Sequence, residues 1–270
     1  MPFYTDQLKR TIELPHPPKR IISLVPSQTE LLFDLGLKDE VVGITKFCVH
    51  PESWFRKKTR VGGTKQLDLK KIKELKPDLI IANKEENVRE QIEELEKDFP
   101  AWISDINSLD DAIEMIESLG EITNEQLKAK EIAHGVKENF SQLPIQNCPI
   151  PTCYLIWQNP MMTVGGDTFI SNMMNRAGFQ NIFENQTRYP EITIEQLKAQ
   201  NCKLLLLSSE PFPFKQKHID QLRPLLPDIK IILVDGEMFS WYGSRLLKAP
   251  AYFELLQNQV LSLRHAAGDR

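Results

Sequence analysis

The chain carries one segment twice. Residues 69–81 read LKKIKELKPDLII and residues 194–206 read IEQLKAQNCKLLL. Leu69 aligns with Ile194, Ile72 with Leu197 and Leu79 with Leu204, all at one offset. Each copy reads as a short amphipathic helix, a polar turn and an all-apolar run of strand length. A solenoid needs several short repeats, so two copies about half a chain apart predict two related lobes. Apolar strands that alternate with helices predict a mainly parallel sheet in each lobe. The 270 residues suffice for two lobes of ordinary size. Paired lobes enclose clefts, and clefts at domain boundaries bind ligands.

The remaining pattern fits that plan. Residues 5–14 predict an N-terminal hairpin and residues 20–24 a buried strand. Ser27 and Glu30 have capping-box spacing, opening a helix over 29–35 that Gly36 closes. Residues 41–45 are a strand, Asp68 caps the first repeated helix, and helices are expected over 87–97 and 108–119. Thr123 and Gln126 form a second capping-box pattern. It opens an amphipathic stretch with Ala129, Ile132, Ala133, Val136, Phe140 and Leu143 on one face. Pro144, Pro149 and Pro151 end it. The second lobe then offers a strand over 154–157, a helix capped by Thr168 and closed by Gly178, a helix capped by Thr193, a strand over 229–234 and a helix over 245–263. The expected organisation is an N-terminal α/β lobe (1–122), a backbone helix (123–143) and a C-terminal α/β lobe (144–270).

Composition excludes several classes. Net charge is −4 with no basic patch, which argues against nucleic acid. No apolar run approaches the roughly 20 residues of a membrane span. The first twenty residues lack the apolar core, about 7–15 residues long, of a secretory signal. The chain as written is therefore expected to be cytoplasmic, or periplasmic or membrane-anchored if its start is trimmed. The four cysteines form no C-x-x-C pair. Cys148 and Cys153 are close enough to leave a disulfide open, although free thiols are expected. The five histidines are scattered, so no protein-only metal cage is expected. No G-x-S-x-G, H-E-x-x-H or paired-carboxylate motif marks an enzyme. Gly165-Gly166-Asp167 lacks phosphate-loop spacing and reads as a tight turn before a helix.

Two stretches carry local chemistry. In Phe47-Cys48-Val49-His50, period two puts Cys48 and His50 on one side of an extended segment. Thiolate and imidazole both ligate haem iron, and imidazole suits cobalt, so either is a candidate axial ligand. The alternative reading makes Cys48 a small buried hydrophobe and His50 a hydrogen-bonded loop residue. Glu237, Trp241 and Arg245 follow the strand over 229–234, beyond its carboxyl end, where open α/β sheets bind ligands. Arg245 suits a ligand carboxylate or phosphate.

Residues 19–36 (KRIISLVPSQTELLFDLG), 47–51 (FCVHP), both repeated segments, 157–170 (WQNPMMTVGGDTFI) and 178–183 (GFQNIF) together resemble the class III periplasmic binding proteins. Within that family the likeness is greatest to the vitamin B12-binding proteins. The resemblance implies two Rossmann-like α/β lobes joined by a single long backbone helix. It implies a binding protein rather than an enzyme, monomeric, holding a bulky metal chelate between the lobes for an ABC permease. Cobalamin or another corrinoid comes first among the ligands, with ferric siderophores and haem next. Phe47, Trp157 and Tyr189 fall at aromatic contact positions, and Glu237 at an acidic position that hydrogen-bonds corrin side chains. Thr64 and Asn83 stand where relatives carry tryptophan, which implies a different pocket. Of the two glutamates that dock on the transporter, Glu195 matches one; Lys70 replaces the other, and Glu74 is its candidate substitute one turn on. Two alternatives stay open: a cytosolic tetrapyrrole chelatase-like enzyme with His50 at its site, and a chelate sensor or storage protein.

Overall fold

Parallel strand pairing organises both halves of the computed structural model, which describes residues 2–144 and 148–268. The chain forms two compact units: one from Met1–Ile106, Asp110–Val136 and Tyr242–Arg245, the other from Asn107–Leu109, Lys137–Trp241 and Leu246–Arg270. The first unit opens with the expected hairpin, β1 (Phe3–Thr5) against β2 (Thr11–Glu13). There follow β3 (Ile21–Ser23), α1 (Pro26–Asp34), β4 (Val41–Ile44), α2 (Glu52–Lys57), β5 (Thr59–Arg60), α3 (Leu69–Leu75), β6 (Leu79–Asn83), α4 (Arg89–Glu96), β7 (Ala101–Ser104) and α5 (Leu109–Ile122). Helix α6 (Gln126–Ser141) starts in the first unit and ends in the second. The second unit continues with β8 (Ile150–Leu155), α7 (Phe169–Arg176), β9 (Phe179–Asn181), α8 (Ile194–Ala199), β10 (Leu204–Ser208), α9 (Gln216–Leu222), β11 (Lys230–Val234), α10 (Glu237–Ser240) and α11 (Ala249–Gly268). No helix among the described residues is long and apolar enough to cross a membrane.

The sheets run β5-β4-β3-β6-β7 and β11-β10-β8-β9, with every pairing parallel. Taken in chain order, β4-β3-β6-β7 and β9-β8-β10-β11 have one topology, so the repeat extends to the whole sheet. The repeated segments coincide in detail. Asp68 caps α3 by accepting the Lys71 N–H at 3.0 Å. Thr193 caps α8 with a reciprocal box through Gln196, at 2.8 and 3.3 Å. Past each helix one residue takes the left-handed conformation, Lys76 (φ 45°) and Asn201 (φ 52°), and these two share the offset of the repeat. Ile72 and Leu197, at matching helix positions, are fully buried, and so is every residue of β6 and β10. Strands covered on both faces have no polar side to show, which is why these runs read as unbroken apolar.

Both of the early capping boxes fail, for identifiable reasons. Pro26 occupies the first turn of α1, where its fixed φ and missing N–H suit it, so the helix starts three residues earlier than expected with Val25 as its cap. Ser27 and Glu30 then lie inside the helix. The Thr123 hydroxyl donates back to the Leu119 carbonyl at 2.6 Å and so prolongs α5. Asn124, at φ 62°, makes the break before α6. All four cysteines are free, with Cys148 exposed and Cys153 buried.

The C-terminal helix starts at Ala249, four residues later than expected. A 3-10 turn, Ser244–Leu247, precedes it, and Tyr242–Arg245 packs as part of the first unit. Gly243 permits this: its φ is 123°, and a Cβ there would lie 3.2 Å from the Ser27 carbonyl oxygen. Arg245 Nε and Nη2 each donate at 2.9 Å to the two Glu30 carboxylate oxygens, and both residues are buried. The predicted role for Arg245, pairing with an anionic ligand group, is thereby corrected: its guanidinium fork is engaged by Glu30. Removing one member of a buried pair leaves an uncompensated charge, which costs about 3–5 kcal/mol. Arg245→Ala should therefore destabilise the protein by about that amount in urea unfolding, while Glu30→Leu combined with Arg245→Met should recover most of the loss.

Candidate functional site

Because all strands of a sheet run one way, the loops after their carboxyl ends gather at one edge. In each sheet the strand order reverses between the first and third strands of the repeat, β3 and β6 or β8 and β10, and such switch points open a crevice for ligands.

In the first unit this edge is a lattice of buried polar side chains. Ser104 Oγ accepts from Gln28 Nε2 at 2.6 Å and from Asn83 Nδ2 at 2.9 Å. Asn83 Oδ1 accepts the backbone N–H groups of Glu85 (2.8 Å) and Glu86 (3.0 Å), forming an Asx turn. Asn87 Oδ1 accepts the Asn83 N–H at 2.9 Å, and Asn87 Nδ2 donates to the Thr64 carbonyl at 3.1 Å. Thr64 and Asn83, the positions where relatives were expected to hold tryptophan, are thus joined through Asn87.

Phe47 lies on the same unit, 51% exposed, with Lys46 Nζ 5.1 Å from its ring centroid. Cys48 departs from the predicted shared face with His50. It is fully buried, its Sγ 3.1 Å from the hydroxyls of both Thr29 and Thr45. Burial raises its pKa, which disfavours the thiolate that ligation requires. Cys48 is therefore a packing residue, whereas His50 is only partly buried. Among the described residues no group of three or more His, Cys, Asp or Glu is placed to hold a metal ion.

In the second unit, Trp157 follows β8 and is 39% exposed. Its indole N–H donates to the Asn159 carbonyl at 3.1 Å, which fixes the ring. Phe212, from the loop after β10, meets it edge-on with centroids 5.5 Å apart. These two rings therefore stand at the switch point of the sheet. Bridges of Met162 to both Trp157 and Glu191 bring the Tyr189 segment alongside. Tyr189 is half-buried, with Arg188 5.7 Å from its centroid. Gly165 and Gly166 allow segment 184–188 to lie close, since a Cβ on them would stand 2.4 Å from the Gln186 oxygen and 2.2 Å from that of Glu184.

Glu237 starts α10 and is partly exposed. Trp241, at the other end of that helix, is 6% exposed, and its indole N–H donates to Glu210 Oε1 at 2.9 Å. Ser240 Oγ donates to the same oxygen at 2.5 Å. Trp241 is thereby corrected from a ligand contact to a buried anchor for the loop that presents Glu237. Glu210 and Phe212 escaped sequence reading. The repeat held the signal: its offset carries Asn83 onto Ser208 and Glu85 onto Glu210, and Ser208 Oγ accepts the Glu210 N–H at 3.2 Å as Asn83 does for Glu85.

A sequence model of the family described as periplasmic binding protein matches residues 21–223. A vitamin B12-binding protein of Vibrio cholerae is 29% identical over 199 residues, 72% of each chain. The crystal structure of the periplasmic vitamin B12 binding protein BtuF of Vibrio cholerae shares the fold with TM-score 0.77 at 24% identity, over 90% of this chain and 99% of that one. The siderophore binding protein BauB, bound to ferric iron and two acinetobactin molecules, does so with TM-score 0.76 at 20% identity, over 93% and 96%.

His218 underpins the Trp157 wall. Its Nδ1 accepts the Lys215 N–H at 2.7 Å, and its ring lies 5.3 Å from Phe212 and 5.4 Å from Phe214, centroid to centroid. Burial, then Lys217, lowers its pKa below the ordinary 6.5. A lowered histidine pKa means the neutral ring is the one that stabilises the fold. That stabilisation is complete above 6.5 and is lost as pH falls below it through the folded value. Acidification should therefore perturb Trp157 fluorescence, and His218→Gln, which keeps an acceptor without titrating in this range, should flatten the pH profile.

Proposed function

The chain belongs to the periplasmic binding protein family, and from that premise we propose that it binds a bulky metal chelate, a cobalamin or other corrinoid first, a ferric siderophore or haem second. The observation that carries this reading is the exposed Trp157 ring, fixed by its own N–H bond and backed by Phe212 at the switch point of the second sheet. Flat aromatic surface suits a large ring, and a rigid ring loses little entropy on stacking. Phe47 offers a similar exposed ring in the first unit. Glu237 is assigned to the amide N–H groups of the ligand, which a carboxylate accepts well. His50 is the candidate for an axial contact with the metal.

Finer proposals follow from the same premise. The protein acts as a monomer that presents its ligand to an ABC permease, with Glu195 and Glu74 as docking carboxylates. Lys70 and Glu195 hold equivalent helix positions with opposite charge, and Lys70 Nζ lies 3.9 Å from a Glu74 oxygen. Such an exposed pair is weak, so Glu74 can be redirected to a basic partner. The cytoplasmic placement rests on the N-terminal residues alone. Since the relatives include periplasmic proteins, we take the periplasm as the working site. Binding without turnover is assigned; a chelatase would instead insert metal into an empty ring.

Titration with cyanocobalamin, haemin and a ferric siderophore, followed by absorbance, tests the reading, and failure to bind any of them overturns it. Truncating a central stacked aromatic typically costs about 1–3 kcal/mol, so Trp157→Ala should weaken binding of the preferred chelate roughly tenfold or more. If docking is as assigned, Lys70→Glu should raise uptake in cells and Glu195→Lys should abolish it.

A further inference from the structure

The polar lattice of the first unit leaves a buried acceptor unpaired. Gln28 spends its amide N–H on Ser104, and its Oε1 is buried with no hydrogen-bond partner. A buried acceptor left without a donor costs free energy that an incoming N–H can recover. The Asx turn at Asn83 fixes the backbone of Glu85 and Glu86 just past the carboxyl end of β6. Lys65 Nζ donates to the Glu85 carbonyl and ties the turn from its other side. The Glu86 side chain is half-buried and makes no hydrogen bond or ion pair with any described residue. Burial, then the neighbouring Glu85, holds its carboxyl above the ordinary carboxylate range, with Lys65 acting in the opposite sense.

We propose that Glu86 is a ligand-recognition residue of the first unit, which selects chelates that present N–H donors and disfavours those that present carboxylates. The inference rests on the chelate-binding reading and narrows it to a class of ligand. Relatives were expected to hold tryptophan at the positions of Thr64 and Asn83. Here those positions build the turn that places Glu86 just past the carboxyl end of β6. A ring bearing primary amides supplies the donor that Glu86 lacks. A ring bearing propionates brings only further acceptors and like charge, which an unpaired carboxylate rejects. The lysines nearby do not reverse this. Lys65 is bound to the Glu85 carbonyl, Lys84 is paired with Asp105 at 2.6 Å, and Lys46 lies over the Phe47 ring.

The test compares wild type, Glu86→Gln and Glu86→Ala with cyanocobalamin and haemin as probes, folding being checked by thermal unfolding. Wild type should prefer cyanocobalamin. Glu86→Ala should weaken cyanocobalamin about tenfold, the scale of a lost charge-assisted hydrogen bond. Glu86→Gln, close to isosteric, should strengthen haemin by several-fold through loss of the like charge and so shrink the preference. Wild type preferring haemin, or both variants staying within about twofold of wild type for both probes, overturns the inference while leaving chelate binding intact. Wild type binding neither of these probes nor a ferric siderophore overturns the chelate-binding reading and this inference together.

Discussion

Parallel pairing is the constraint on which the rest of this protein depends. It buries the central strands on both faces, so their interiors must be apolar, as residues 79–82 of β6 and 204–207 of β10 are. It also sends every connection back across the sheet through a helix, which fixes the alternation of elements. Above all it gathers the carboxyl-end loops at one edge, where polar side chains need not be buried against apolar layers. Ser23, Thr45, Asn83 and Ser104 in the first unit and Ser208 in the second all end or follow strands on that edge. Specificity can therefore change in these loops without disturbing the cores beneath.

The duplicated turns show how far two copies can diverge on one backbone. Asn83 and Ser208 sit at equivalent positions, and each accepts the N–H of the glutamate two residues on. The geometry is shared while the use of the glutamate differs. Glu210 accepts from Trp241 and Ser240 and anchors a loop. In the first unit Asn83 Oδ1 also accepts the N–H of Glu86, the residue after the equivalent glutamate, and so fixes its backbone.

Periodicity and turn chemistry made much of the fold legible: the repeat, the parallel sheets and the caps at Asp68, Thr168 and Thr193 depend on local pattern, and local pattern is written in the chain. The failures arise where a specific partner, near or far in sequence, overrides the pattern. Glu30 looks like a capping residue until Arg245, more than two hundred positions on, claims it. Cys48 looks like a ligand because period two assumes an extended strand, whereas the loop turns its thiol inward between two threonines. Trp241 and Glu237 are close in sequence and have opposite exposures, because Glu210 draws one of them inside. Phe47 and Trp157 are exposed as a contact role requires, a property that any surface aromatic shares; the edge-on contact of Phe212 with Trp157 was not readable at all.

The excursion of Tyr242–Arg245 into the first unit bears on how such a chain could have arisen. A gene duplication would begin with two self-sufficient halves. This first half is no longer one. It keeps a buried carboxylate, Glu30, whose counter-charge lies 215 positions further along the chain. A ribosome finishes the strands and helices of the first unit long before it makes Arg245. Until then Glu30 lacks the partner that holds it in the folded unit. Completion of the first unit thus waits until the second sheet has been made, because Arg245 follows all of its strands in the chain.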